Sequence, residues 1–403
     1  MFELPIVTKN DNDYLNSLKK NVYAFIDEYK KLKEDINYSN SFDDIDEICK
    51  NIKKNYKLIE DCFKFSFMGQ YYKSILKMKK MIIEYEEVLC HNIDRSYAFG
   101  KGLALISKND DPLILYKGRK CDYPYQKYEM NEMHQIPMDA RWKITAQRFS
   151  MPGVPCLYLA SNSYIVWHEL GQPELDKLEI SAFKIDKSKP FKIIDLTFIY
   201  QEIYNLAKLK LVNKVTKSNQ ILNLNPLVPF FNTKERAKKI ASIWPLLAAV
   251  SIQCTQLNRS FKSEYVIPQL LMHCVDDKIK GIAYRCNAIK SNTDYPSSNL
   301  AIPILNYNEG EKFGDIKDYI TLTDPMNIQY FKDNIYRTQA YPSILEDGGI
   351  KYNNTLYVSS FNKMIKFNIF SYDGMISYKD TFYHDFDNYI LYYNDNKFKK
   401  IEE

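Results

Sequence analysis

From about Asp11 to Ile93, apolar positions recur at helical spacing. Leu15, Leu18, Val22, Phe25 and Ile26 form one stripe. Ile45, Ile48, Ile52 and Tyr56 form a second, and Ile75, Met78, Ile82 and Val88 a third. Gly69 is the only glycine before Gly100 and no proline interrupts the run. Ser41 and Asp43 offer N-cap chemistry for the second helix. The pattern predicts a bundle of three or four helices. It carries no constellation of chemical groups, so it is either a packing or dimerisation module or a part that senses a trigger or partner.

The texture changes near Tyr97. From there to about Leu305, short β-rich runs alternate with turns and a few helices. Leu113 to Tyr116, Pro155 to Leu159, Leu178 to Ile185, Phe191 to Ile194, Ile279 to Tyr284 and Leu300 to Leu305 have the character of strands. Helical patterns lie at Asn162 to Leu170, Phe198 to Leu209, Thr233 to Gln256 and Val266 to Val275. This predicts an α+β domain with a mixed sheet. The last segment is rich in Tyr and Phe. Met364 to Phe370, Gly374 to Tyr378 and Tyr389 to Tyr393 alternate as strands do, and Asp373-Gly374 is a hairpin signal. The expected organisation is a helical bundle over 1–95, an α+β domain over 96–306 and a β-rich extension over 307–403.

Composition narrows the classes. A chain of 403 residues has room for two or three domains. With 55 basic and 50 acidic residues, the net charge of +5 does not call for nucleic acid or an anionic membrane as partner. The aromatic and lysine content of the last segment would suit base stacking, but the same residues make ordinary half-buried strands. The eight cysteines are dispersed, with no CxxC pair, as in a reducing compartment. No zinc spacing is visible, so no metal is expected. Met1 to Asn10 carries Glu3 and Pro5, unlike a signal peptide. The longest apolar run, Ile240 to Ile252, contains Pro245 and is too short to span a bilayer. It reads as a buried core helix, and the expected location is the cytoplasm.

Phosphate loops, dinucleotide fingerprints, nucleophile elbows and HExxH are all absent. One stretch stands out: Gln147-Arg148-Phe149-Ser150-Met151-Pro152-Gly153-Val154-Pro155-Cys156-Leu157-Tyr158-Leu159-Ala160, continuing to Gly171. It reads as a Met-Pro-Gly turn, a short buried strand, a polar cap and a short helix closed by Gly171. Tyr158 sits near the strand end and Glu169 in the last turn of the helix.

This stretch resembles the RES domain, whose signature is an arginine, a Pro-Gly turn, a strand ending in Tyr-Leu-Ala and a glutamate in the next helix. Further motifs follow in the same order. Leu115-Tyr116-Lys117-Gly118-Arg119 is similar to the family's opening strand. Glu132 to Pro137 with Arg141 is similar to a loop of one bacterial subfamily. Trp244 to Ala249 and Glu264 to Leu271 are similar to its later helices, and Gly281 to Cys286 to its final motif. The likeness covers Tyr97 to about Tyr307.

The resemblance implies an ADP-ribosyltransferase-like mixed β core and a toxin that consumes NAD by hydrolysis or phosphorolysis, held by an antitoxin. By this likeness Glu169, Arg119 and Cys286 would be catalytic. Tyr158, Arg148, Lys117, Tyr116 and His134 would bind NAD, which enters as substrate without a metal. Two departures stand out. Lys117 follows Tyr116 where the family often has arginine, leaving Arg119 as the family arginine and Lys117 as its alternate. Cys286 replaces the family serine, and cysteine is a weak donor; Ser291, Ser297 or Ser298 would be its substitutes.

From the residues alone, plainer roles stand beside these. Glu169 would be a solvated helix residue, Arg119 a surface ion pair, Tyr158 a core tyrosine, Arg148 a brace for the turn and His134 a structural loop residue. Other functions remain open: transfer of ADP-ribose to a protein or nucleic acid, or binding of NAD or a partner without turnover. A regulatory protein and a homodimer through the N-terminal helices are the expected macromolecular partners.

Overall fold

The computed structural model describes residues 4–35, 42–93, 113–198, 203, 234–256, 259–287, 297–304, 306–308, 310–336, 343–344, 350–351, 382–392 and 398–400. Within them the protein is a mixed α+β fold. Long amphipathic helices come first: α1 (Tyr14–Asp35), α2 (Phe42–Phe67), α3 (Tyr71–Glu84) and the short α4 (Glu86–Leu89). The three expected stripes are their buried faces; only Leu15 and Ile75 are half-buried. These faces pack on helices from the middle of the chain, α6 (Lys234–Ser242), α7 (Trp244–Val250) and α8 (Val266–Met272). Phe25 stacks on Trp244 with centroids 4.5 Å apart. The Trp244 indole N–H donates to Asn21 Oδ1 at 2.9 Å, and the Tyr14 hydroxyl donates to the Ala249 carbonyl at 3.2 Å. The opening helices therefore share one core with the middle of the chain.

Two local expectations change here, and one strand is added. The chain enters as strand β1 (Ile6–Thr8), which pairs in parallel with β7 (Ile252–Cys254). The run expected to be helical to Ile93 ends at Leu89, and β2 (Cys90–Asn92) pairs antiparallel with β6 (Lys192–Leu196). A three-residue strand has almost no local signal; its distant partner creates it. The helix expected over Thr233 to Gln256 divides into α6 and α7. Pro245 sits in the first turn of α7, where a missing N–H costs no helical hydrogen bond.

The remaining strands are β3 (Leu113–Lys120), β4 (Cys156–Ala160), β5 (Leu178–Ile185), β8 (Ile279–Arg285), β9 (Ser298–Pro303), β10 (Ile320–Leu322) and β11 (Met326–Asn327). They form one sheet in the order β10-β5-β3-β4-β9-β8-β6-β2, with β11 also on β5. β6 and β8 are parallel and all other pairs antiparallel. Strands from both flanking regions thus complete the sheet. The helices cover one face through Ile194, Ile282 and Ala301. Alternate residues, including Leu115, Leu157, Leu159 and Leu300, face a second cluster with Met133, Phe313 and Ile316.

A third cluster joins α5 (Ser163–Glu169) to α10 (Phe382–Tyr392). The strand expected at Tyr389 to Tyr393 is instead the end of α10. Phe382, Phe386 and Ile390, four residues apart, are fully buried on one helical face, and that burial outweighs the local β-propensity of the tyrosines. The chain also forms a helical turn, α9 (Ile328–Tyr330), and a two-stranded ribbon of β12 (Ser343–Ile344) and β13 (Ile350–Lys351). The strands expected at Met364 to Phe370 and Gly374 to Tyr378 lie outside the described residues. So do the Asp373-Gly374 turn, nearly all of the helix expected from Phe198 and the cap side chains at 41 and 43.

One irregularity in the sheet positions the site. β3 pairs with β5 from Leu113↔Ile185 to Lys120↔Leu178, and β4 pairs with β9 along its whole length. β3 and β4 meet at a single position, Tyr116↔Ala160. The sheet is therefore two halves joined at one bridge, and they part beyond it.

Candidate active site

The parted strands wall a cavity of about 1180 Å³. Tyr116, Lys117, Gly118 and Arg119 line it from β3, and Cys156, Tyr158, Leu159 and Ala160 from β4. His134 and Gln135 line it from the loop after β3, His168 and Glu169 from α5, and Tyr284 and Asn299 from β8 and β9. Seven lysine or arginine side chains and three glutamates face this space, which gives it a positive field.

Helix α5 is held at both ends. Asn162 caps it, its Oδ1 accepting from the Ile165 N–H at 2.9 Å. The Ser163 N–H donates to the Asp387 carboxylate of α10 at 3.3 Å, and the Ser163 hydroxyl donates to the Tyr383 carbonyl at 3.3 Å. Gly171, at φ +75°, closes the helix, its N–H donating to the His168 carbonyl at 2.9 Å. On the β3 side, a Cβ at Gly118 would stand 2.5 Å from Val166 Cγ1. Glycine there lets α5 lie directly on β3.

Glu169 at the end of α5 is exposed where it lines the cavity. Asn299 Nδ2 donates to its Oε1 at 2.6 Å, which orients the carboxylate. Asn299 was not singled out in the sequence, because it lies 130 positions away and belongs to no local motif.

Lys117 donates to the carbonyls of Met133 at 3.0 Å and His134 at 2.6 Å. Burial, with the Arg119 charge beside it, holds its pKa down to about 7. Arg119 donates to the Glu132 carbonyl at 2.7 Å and lies over the Tyr128 ring at 4.7 Å. His134 is buried, with both ring nitrogens unpartnered among the described residues. Burial and the Lys117 charge keep it well below the usual histidine range.

Tyr158 and Arg148 brace the wall. The Tyr158 hydroxyl accepts from the Phe149 N–H and donates to Ser150 Oγ, both at 3.2 Å. Burial raises its pKa well above the usual value. Arg148 donates to the carbonyls of Val250 and Ile252, each at 3.0 Å, tying the wall to β7. At the rim, Arg259 pairs with Asp11 and, at 2.6 Å, with Glu264.

The structure thus brings Tyr116, Lys117, Arg119, His134, Arg148, Tyr158 and Glu169 to one cavity. It does not bring Cys286 there. Cys286 follows the last residue of β8, where strand alternation no longer sets its direction. It is buried with Tyr116, Ala160 and Ile165, and its N–H donates to the Ser297 carbonyl at 2.7 Å. Among its proposed substitutes, Ser297 accepts from Arg285 at 2.8 Å, Ser298 is buried beside Asn299, and Ser291 lies outside the described residues. Among the described residues, no group of His, Cys, Asp and Glu is arranged to hold a metal, and no helix is long and apolar enough to cross a membrane.

No family model matches the chain, and no solved structure matches it. Over 349 residues, covering 84% of this chain and 72% of the relative, it is similar at 26% identity to a protein of Bacillus subtilis (strain 168) named "Putative toxin YopC".

Proposed function

We propose that this protein is a toxin that consumes NAD, cleaving the bond between nicotinamide and ribose in a RES-like, ADP-ribosyltransferase-like site. The observation that carries the reading is the cavity between β3 and β4, lined by the oriented carboxylate of Glu169 together with Lys117 and Arg119. Its volume of about 1180 Å³ exceeds the roughly 300–1,000 Å³ of ordinary small-molecule sites, so an extended dinucleotide has room. The similarity to a protein named as a toxin supports the physiological half.

The chemistry asks little of the protein. Nicotinamide leaves with the electron pair of the broken C–N bond and needs no general acid. The ribose becomes cationic, and Glu169 stabilises that charge. Water or phosphate then bonds to the anomeric carbon, and water gives up a proton to solvent. Lys117 and Arg119 neutralise the pyrophosphate. Cys286 has no part in this reading. NAD places the action in the cytoplasm, where a neutralising partner would be needed until the toxin acts.

The test is purified protein with NAD, with and without phosphate, followed for nicotinamide release beside Glu169→Ala. Release by wild type and its loss in the variant are expected. Label transferred from NAD to protein or nucleic acid, without free ADP-ribose, would replace this reading with macromolecular transfer.

A further inference from the structure

We infer that Lys117 is the anion anchor of the cavity, and that a ligand's phosphate group draws a proton onto it as it binds. This rests on the proposed function only for the choice of ligand. Lys117 faces the cavity from β3, and two of its N–H groups are taken by the carbonyls of Met133 and His134. The third has no acceptor among the described residues, and no carboxylate pairs with the ammonium there.

The groups packed on its ammonium add no negative charge, and the Glu132 carboxylate in the same loop accepts instead from the Glu129 N–H at 2.8 Å. Arg119, on the same strand, is cationic and favours the neutral amine. Cys156, from β4, is pushed up to about 12 by burial and stays a neutral thiol. His134, from the loop, is held neutral by burial and by Lys117 itself. From β5, the register partner of Lys117 is Ser181, which has no charge. A half-buried amine in this setting is completed by an anion, which favours the protonated form. Arg119 differs, since it already rests on the Tyr128 ring and on the Glu132 carbonyl. The two groups thus divide the work: Arg119 supplies a standing charge and Lys117 one that the ligand completes. The proton comes from solvent and returns there on release.

The probe is ADP-ribose, which carries the pyrophosphate and lacks the scissile bond. Binding is measured by calorimetry in buffers of different ionisation enthalpy between pH 6 and 9. Wild type should take up a measurable fraction of a proton per ligand near neutral pH and bind more weakly as pH rises. Lys117→Met keeps the volume and removes the charge; it should bind at least about tenfold more weakly with no proton uptake. Lys117→Arg, always charged, should bind without uptake and without the pH dependence. Uptake that persists in either variant, or no binding of ADP-ribose by wild type at pH 6, overturns the inference. The nicotinamide assay separates the two claims. Turnover of NAD with no proton uptake on ADP-ribose sinks the anchor alone. Uptake lost in Lys117→Met, from a wild type that releases no nicotinamide, sinks the proposed reaction alone.

Discussion

Asn299 on β9 donates a 2.6 Å hydrogen bond to Glu169 at the end of α5, so residues 130 positions apart hold one carboxylate in place. The bond joins one half of the sheet to the helix that rests on the other half. It predicts graded effects. Glu169→Ala should lower the rate of nicotinamide release about 10²–10³-fold, the scale for removing an electrostatic stabiliser of a transition state. Asn299→Ala should cost less, in kcat more than in KM, because the carboxylate remains but loses its fixed orientation. Steady-state kinetics on both variants decide this; equal losses would mean that Asn299 does more than orient.

Gly118 sets how closely α5 approaches β3. In Gly118→Ala the new methyl would stand 2.5 Å from Val166 Cγ1 and 3.1 Å from Leu170 and Leu178. Overpacking of this kind costs about 1–3 kcal/mol. Chemical denaturation should show that loss, and α5 should shift enough to reduce activity in the folded variant.

Asp387 reaches the first turn of α5 from α10. Asp387→Ala leaves a buried N–H without its acceptor and should destabilise the protein by about 1–2 kcal/mol. Activity should fall as well, because α10 supports the helix that carries Glu169. A variant with wild-type stability and activity would show that Asn162 alone suffices to hold that end.

Glu179, on β5 opposite Asn327, is buried, and burial raises its pKa to about 7. The folded state therefore holds a proton that the unfolded chain releases at lower pH. Stability from this group is fully present below the unfolded value and is lost as pH rises through about 7. Glu179→Gln should flatten that fall. Denaturation curves at pH 5 and pH 8 test it, with the variant gaining on wild type only at the higher pH.

The apolar stripes of α1 to α3 were legible because local periodicity and final burial agree, and the strand Leu178 to Ile185 as a short β-rich run that the fold buries on both faces. β1 and β2 were not, since each is three residues long and exists through a distant partner. Phe382, Phe386 and Ile390 already carry a helical signal, but alternating aromatics nearby point to a strand. In the site, Glu169 and the β3 cations could be singled out through an ordered set of motifs. Asn299 could not, because only the fold brings β9 to the cavity, and Tyr284 lies in a motif whose candidate was Cys286. Cys286 fits a motif position yet turns away, its direction set past the end of β8.

The shared core of the opening helices has a consequence for synthesis. Tyr14 meets Ala249, 235 positions later, and β1 finds its partner only at Ile252 to Cys254. At about 5–20 residues per second, the apolar faces of α1 to α3 wait roughly 10–50 s on the ribosome for the helices that cover them. A fragment ending before Lys234 is therefore expected to bind a hydrophobic dye and to need a chaperone, whereas the full chain does neither once α6 to α8 have docked.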